Sequence, residues 1–216
     1  MGRDMCDFPN VENNDLELEM LGEFCGKWER RIALLGRLFG EGYADESLIL
    51  CGCYIEAIGG WLYKPELSGR EIFARALTSY GRNDIFGALN PILLLRSLQG
   101  YPLPAGDADK LQTVLVKLGP AFLDWRDGFY PHAEVRARCR QVLTVEECDL
   151  LDKFLWMGTL ACAMYGITRC EDLREVMFRF RNLEGATPDF HLFYSALGSV
   201  FESARRLIMS GKLRIW

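Results

Sequence analysis

Histidine is almost missing from this 216-residue chain: there are two, His132 and His191. A histidine-rich metal centre is therefore not expected, and the eight cysteines (6, 25, 51, 53, 139, 148, 162 and 170) contain no CxxC pair and no zinc-finger spacing. Also missing are a GxxxxGK[ST] phosphate loop, a GxGxxG turn after a strand, an HExxH pair and a GxSxG elbow. These absences set aside the nucleotide-binding, zinc-protease and serine-hydrolase classes that carry such motifs. No metal and no cofactor is expected. Basic excess is absent too: the net charge of −5 argues against a surface that coats nucleic acid or anionic membrane as a whole, and leaves room for a local basic patch. Residues 1–21 carry Asp4, Asp7, Glu12, Asp15, Glu17 and Glu19 without an apolar core, unlike a secretory or transit peptide. The charge-free stretch Phe154–Thr168 is 15 residues, short of the roughly 20 that a membrane-spanning helix needs. No membrane association is expected, and the cysteines read as reduced thiols of a cytoplasmic protein.

Half of the residues are hydrophobic, with 5 Trp, 8 Tyr and 13 Phe, enough to build one well-buried domain over residues 1–216. Alternating apolar and polar residues are scarce, and there is no Asn-Gly or Asp-Gly hairpin turn. Helical spacing is plentiful. Leu16, Met20, Leu21, Phe24, Trp28, Ile32, Leu35 and Leu38 predict an amphipathic helix over 15–39, closed by Gly40 and Gly42. Asp45 is the expected cap of a second helix, which is apolar nearly all round and therefore central. Capping boxes at Ser68/Glu71, Thr144/Glu147 and Thr168/Glu171 predict helices near 69–80, 145–166 and 169–183, with stops at Gly81 and Gly166. Pro91 opens a short helix near 91–98, and Tyr101–Gly106 reads as a loop. Asp107 begins a helix to about Asp127, disturbed at Gly119-Pro120, and Asp189 caps a last one to about Ser210. The expectation is an all-α bundle of eight or nine helices, a core with peripheral helices added.

Two features carry chemistry. Glu56 sits in the most apolar helix, where a carboxylate needs a partner; a structural acid bonded to Arg or Trp is the expectation. Arg136, Arg138 and Arg140, with the tail set Arg205, Arg206, Lys212 and Arg214, are the local basic concentrations of an acidic chain. Both are candidate phosphate contacts, the first three for RNA, against the plainer reading of solvated helix faces balanced by the acidic N-terminus.

The run Glu171 to Ala186, Glu-Asp-Leu-Arg-Glu-Val-Met-Phe-Arg-Phe-Arg-Asn-Leu-Glu-Gly-Ala, resembles the HEPN superfamily of helical bundles. Its ribonuclease members carry Arg, a polar residue that is often Asn, a few variable positions and then His near the end of a late helix. Arg181 and Asn182 match the first two positions; the His slot falls on Ala186, a departure at the residue the chemistry most needs. The buried run Ser47–Gly60 with Phe73–Gly81 is similar to an early helix of some HEPN-like proteins. A second fit is Arg126-Asp127 followed by His132, with five residues between Arg and His. It has the histidine that the first lacks, but lies mid-chain where the family motif comes late.

The resemblance implies a dimeric, metal-independent endoribonuclease of toxin–antitoxin or antiphage (antiviral defence) type. An RNA substrate and an antitoxin or other protein partner are implied with it. In such a site a His accepts or orients the 2′-hydroxyl proton, while Arg steadies the phosphate and Asn orients. Groups five residues apart lie about 140° apart on a helix, so one helix cannot converge them and a homodimer supplies the second motif. Ala186 leaves two readings: a scaffold that binds without cutting, or a histidine replaced by alanine. The alternative from another class is a non-catalytic helical adaptor that binds a protein partner.

Overall fold

A computed structural model describes residues 11–63, 65–81, 83–100, 105–168 and 190–214. The helices are α1 (Val11–Gly40), α2 (Ala44–Leu62), α3 (Gly69–Tyr80), α4 (Asn83–Phe86), α5 (Pro91–Gly100), α6 (Ala105–Ala121), α7 (His132–Val142), α8 (Val145–Asp152), α9 (Leu160–Thr168) and α10 (Phe190–Met209), with a 3-10 helix at Leu155–Gly158. Among the described residues there is no strand, only isolated bridges from Leu89 to Tyr130 and to Thr159. The fold is all-α, and no described helix is long and apolar enough to cross a membrane.

Apolar periodicity explains the central packing. On α1 the buried residues Leu21, Cys25, Trp28, Ile32 and Leu35 recur at steps of three and four, forming one stripe. That stripe lies on α2 and α10, and α2 in turn packs against α3 and α9. Gly59 makes the α2–α3 crossing close, since a Cβ there would stand 2.8 Å from Ile72 Cγ2 and 3.2 Å from Ala76 Cβ. Trp28 and Trp61 meet edge to face at 5.0 Å between centroids, tying α1 to α2. Phe73, Phe86 and Phe193 are fully buried, and each contributes about 1.5–3 kcal/mol of hydrophobic stabilisation.

Several boundaries differ from the sequence expectation. The helix expected over 145–166 is three pieces: α8 stops at Asp152, the 3-10 turn follows, and α9 starts at Leu160. Thr159 makes the restart, because its hydroxyl donates to Trp156 O at 2.7 Å and accepts from Cys162 N at 3.1 Å. Gly166 lies within α9 and does not stop it. α2 begins at Ala44 behind Tyr43, which makes no side-chain cap; Asp45 stands inside its first turn. Ala105 and Gly106, expected in a loop, belong to α6, which ends at Ala121 just past Pro120 and does not reach Asp127. Helix α7 carries the arginines on the expected solvated helix, but its bounds are not marked in the sequence, because its apolar stripe is only Val135 and Cys139 among charged residues. Thr144/Glu147 is a full capping box. Ser68 accepts from Glu71 N at 3.2 Å, while the Glu71 carboxylate turns to Arg75. The Thr168/Glu171 box and the helix expected over 169–183 lie outside the described residues.

The segment 88–90 fixes the geometry around α7. Leu89 exchanges two backbone hydrogen bonds with Tyr130 at 2.9 Å, Asn90 N donates to Gly158 O at 2.8 Å, and Leu160 N donates to Ala88 O at 2.8 Å. Asn90 is buried; its Oδ1 accepts from Ile92 N and Leu93 N, capping α5, and its Nδ2 donates to Asp127 Oδ1 at 2.7 Å. Segment 88–90 thereby lies between the chain entering α7 on one side and the restart of α9 on the other.

Candidate functional site

A cleft of about 530 Å³ opens where the C-terminal half of α3, the start of α7, the end of α8 and the 3-10 helix meet. Arg75, His132, Arg136 and Asp152 supply its ionisable groups. Thr78, Ser79 and Thr159 add hydroxyls, and largely buried Trp156 with Leu155 forms an apolar wall.

His132 is the first residue of α7, behind Pro131, whose φ of −52° suits a helix entry. Arg136 follows one turn later, so both side chains project from the same face. The ring of His132 is half-buried. Its pKa is held below the ordinary imidazole value, first by burial and then by the Arg136 guanidinium, with Asp152 acting in the opposite sense. The helix N-terminus, with its positive end, favours the neutral ring as well and favours an anion beside it. A neutral imidazole beside the Arg136 guanidinium, in a cleft that Arg75 also lines, is suited to accepting a proton close to a bound anion.

Both guanidiniums are paired with carboxylates. Arg136 is ion-paired with Asp152 through Nη2 and Oδ2. Arg75 contacts Glu71 Oε1 through Nε at 2.9 Å and Nη2 at 2.8 Å, one turn back on α3. The Arg75 and Arg136 side chains keep about a third of their surface in solvent, 39% and 34%. An anion entering the cleft therefore meets donors that are partly committed and partly free.

The structure brings His132 together with Arg136 and Arg75, and leaves Arg126 and Asp127 out of the cleft lining. Arg126 is exposed, its carbonyl accepting from Tyr130 Oη at 3.1 Å, and Asp127 is engaged by Asn90. Arg138 does not share a patch with Arg136 and Arg140, because a step of two on a helix turns a side chain by about 200°, whereas Arg136 and Arg140, four apart, lie on one face. Arg138 points the other way, donating from Nε to Ala121 O at 3.0 Å and standing 3.7 Å from Asp124. Arg140 is exposed outside the cleft. Arg181, Asn182 and Ala186 lie outside the described residues. Glu56 is half-buried against the first turn of α3, where a Cβ on Gly69 would collide with its Oε1 and come within 3.0 Å of Tyr165 Oη. In the tail, Arg205 pairs with Glu29 at 3.1 Å and Glu202 at 3.4 Å.

Arg75 and Asp152 were not singled out from the sequence. Arg75 sits in an ordinary amphipathic helix, and Asp152 ends a helix that was read as continuous. The i, i+4 spacing of His132 and Arg136 was the available signal, legible once α7 is known to be a helix. Among the described residues no group of three or more His, Cys, Asp or Glu is placed to hold a metal ion. No family model, curated protein or solved structure matches the chain.

Proposed function

We propose that the chain is a metal-independent endoribonuclease working at the cleft that holds His132, which keeps the histidine of the HEPN-like Arg126-Asp127…His132 fit and takes its cations from Arg136 and Arg75 instead of Arg126. The observation that carries this reading is that His132, Arg136 and Arg75 line one open cleft. Arg136 and Arg75 hold the scissile phosphate in this reading, their planar forks matching its oxygens. Neutral His132 takes the proton of the adjacent 2′-hydroxyl. The freed oxygen bonds to phosphorus, the bond from phosphorus to the 5′-oxygen breaks, and a proton from solvent completes the departing 5′-hydroxyl. The products are a 2′,3′-cyclic phosphate and a 5′-hydroxyl end. Arg181 and Asn182, with Ala186 in the His slot, are the second arrangement within the same reading.

One observation favours a non-catalytic binding module instead: each cleft guanidinium already has a carboxylate partner, Glu71 or Asp152. RNA cleavage in EDTA separates the readings. The unaltered chain is expected to cut, and His132→Ala to lose about a hundredfold or more, the usual worth of a positioned proton-transfer group. Arg136→Ala should fall with it. Cleavage that appears only in Ala186→His and is abolished by adding Arg181→Ala moves the site to the late motif. RNA or protein binding without cleavage by any of these chains leaves the adaptor.

A further inference from the structure

Helix α1 carries a second stripe on the side away from its core contacts. Leu16, Met20, Glu23, Lys27, Arg30 and Leu34 recur at alternating steps of four and three and are all exposed. The buried stripe through Leu21, Cys25, Trp28, Ile32 and Leu35 is offset by two residues, about 200° around the helix. The outer stripe is bare of intramolecular partners where it is charged: among the described residues Glu23, Lys27 and Arg30 form no ion pair. Its apolar ends are open too, with Leu16 58%, Met20 54% and Leu34 41% exposed.

Charge along this face inverts about its middle: Glu19 and Glu23 precede Cys25, and Lys27 and Arg30 follow it, with Arg31 at the edge over the Trp28 ring. Glu29, in the basic half, is turned away from this face and pairs with Arg205, and Glu17 flanks it on the side of Leu21. We propose that this face of α1 is a self-association surface, on which a second copy of the chain packs its α1 antiparallel about a two-fold axis beside residue 25. In that register Glu23 meets the partner's Lys27 and Leu16 meets the partner's Leu34. Glu17 flanks the partner's Arg31 in the position where antiparallel coiled coils place ion pairs. A two-fold contact is isologous, so a face whose two halves are opposite in charge complements its own copy. Parallel packing would set Glu23 on Glu23 and Lys27 on Lys27, a like-charge clash, so the pattern selects the antiparallel arrangement. The contact is rich in charge and poor in apolar area, so the dimer is sensitive to salt.

The inference is independent of any ribonuclease activity. Sedimentation equilibrium on the full chain tests it. At low salt the mass is expected to approach twice the 24.6 kDa of one chain, and to fall toward one chain at about 0.5 M salt, where screening shortens to a few ångströms. Glu23→Lys and Lys27→Glu are each expected to weaken the dimer by about tenfold or more, because each sets like charges across the axis. The double variant Glu23→Lys/Lys27→Glu restores it, since the charges have traded places across the two-fold. Both residues are exposed, and unchanged far-UV circular dichroism checks that folding is retained. A chain that stays monomeric at low salt, a dimer indifferent to the single reversals, or a double variant that stays monomeric overturns the proposal, and an α1 partner other than a second copy would give the first of these results.

Discussion

Asp152, the last residue of α8, is ion-paired with Arg136, one helical turn from His132 in the same cleft. The pair is about a third exposed on each side, so its net worth is below about 1 kcal/mol. Its larger consequence is competition: the carboxylate occupies the guanidinium that an incoming phosphate would use. Asp152→Asn is therefore expected to tighten the binding of inorganic phosphate or a short RNA about two- to fivefold at low salt, the span of an exposed pair. Isothermal titration of the two proteins checks this, and equal affinities would mean that Arg136 takes no part in anion binding.

The same cleft predicts a pH dependence of stability. His132 binds its proton at lower pH in the folded chain than in the unfolded one. Between the two midpoints the unfolded state holds more protons, so stability rises with pH through this window. It is highest above the ordinary imidazole value, falls as pH drops through that value, and levels below the folded midpoint. Urea melts from about pH 5 to about pH 8 should show this slope, and His132→Asn should flatten it. Added phosphate should move the His132 midpoint upward in an NMR titration, because a bound anion favours the imidazolium.

Asn90 joins two segments through one side chain, capping α5 with Oδ1 and holding Asp127 with Nδ2. Asn90→Ala removes a cap from two partly buried backbone donors and the bond to Asp127, at an expected cost of about 1–2 kcal/mol. Asn90→Asp keeps the cap oxygen but sets a carboxylate on Asp127, and should also destabilise. Denaturant midpoints measured at neutral pH rank the two; an undisturbed midpoint in Asn90→Ala would show that the clamp around segment 88–90 does not need this side chain.

Gly158 packs so closely on α5 that a Cβ would lie 2.7 Å from Leu94 Cβ. Gly158→Ala is expected to cost about 1–3 kcal/mol by overpacking, visible as a lower melting temperature. By contrast, Gly22 has nothing within 4 Å of a built Cβ and stands on an exposed part of α1. Gly22→Ala should stabilise by up to about 1 kcal/mol through helix propensity.

Thiol chemistry divides by burial. Cys51 is fully buried and its thiol is pushed up to about 12; Cys139 is nearly so and is pushed up to about 11. Both should resist iodoacetamide at neutral pH in the native protein and react after unfolding, whereas half-buried Cys53 should label earlier. Mass spectrometry of a labelling time course reads the order.

Much of the helical framework was legible in the sequence because its causes are local. Three-and-four spacing marked α1 to within a few residues, Ser68 and Gly81 bracketed α3, and Pro91 opened α5. The full Thr144/Glu147 box started α8 where expected. Local signals failed where long-range contacts overrule them. Nothing in Phe154–Tyr165 announces a break, yet the pairing of Leu89 with Thr159, the hydrogen bond from Asn90 to Gly158 and the contact of Gly158 with Leu94 turn the chain there. The bounds of α7 are not marked because it buries a thin stripe, and the concentration of arginines along it divides, since Arg138 faces away from Arg136 and Arg140.

The residues themselves determined an all-α chain, since periodicity, caps and stops act within a few positions of one another. The tertiary structure alone decided that Arg75, His132, Arg136 and Asp152 share a cleft. Those four groups come from three helices, and their meeting depends on how α3, α7 and α8 pack around segment 88–90. That packing is set by contacts between residues far apart in the chain, which spacing along a single helix does not encode.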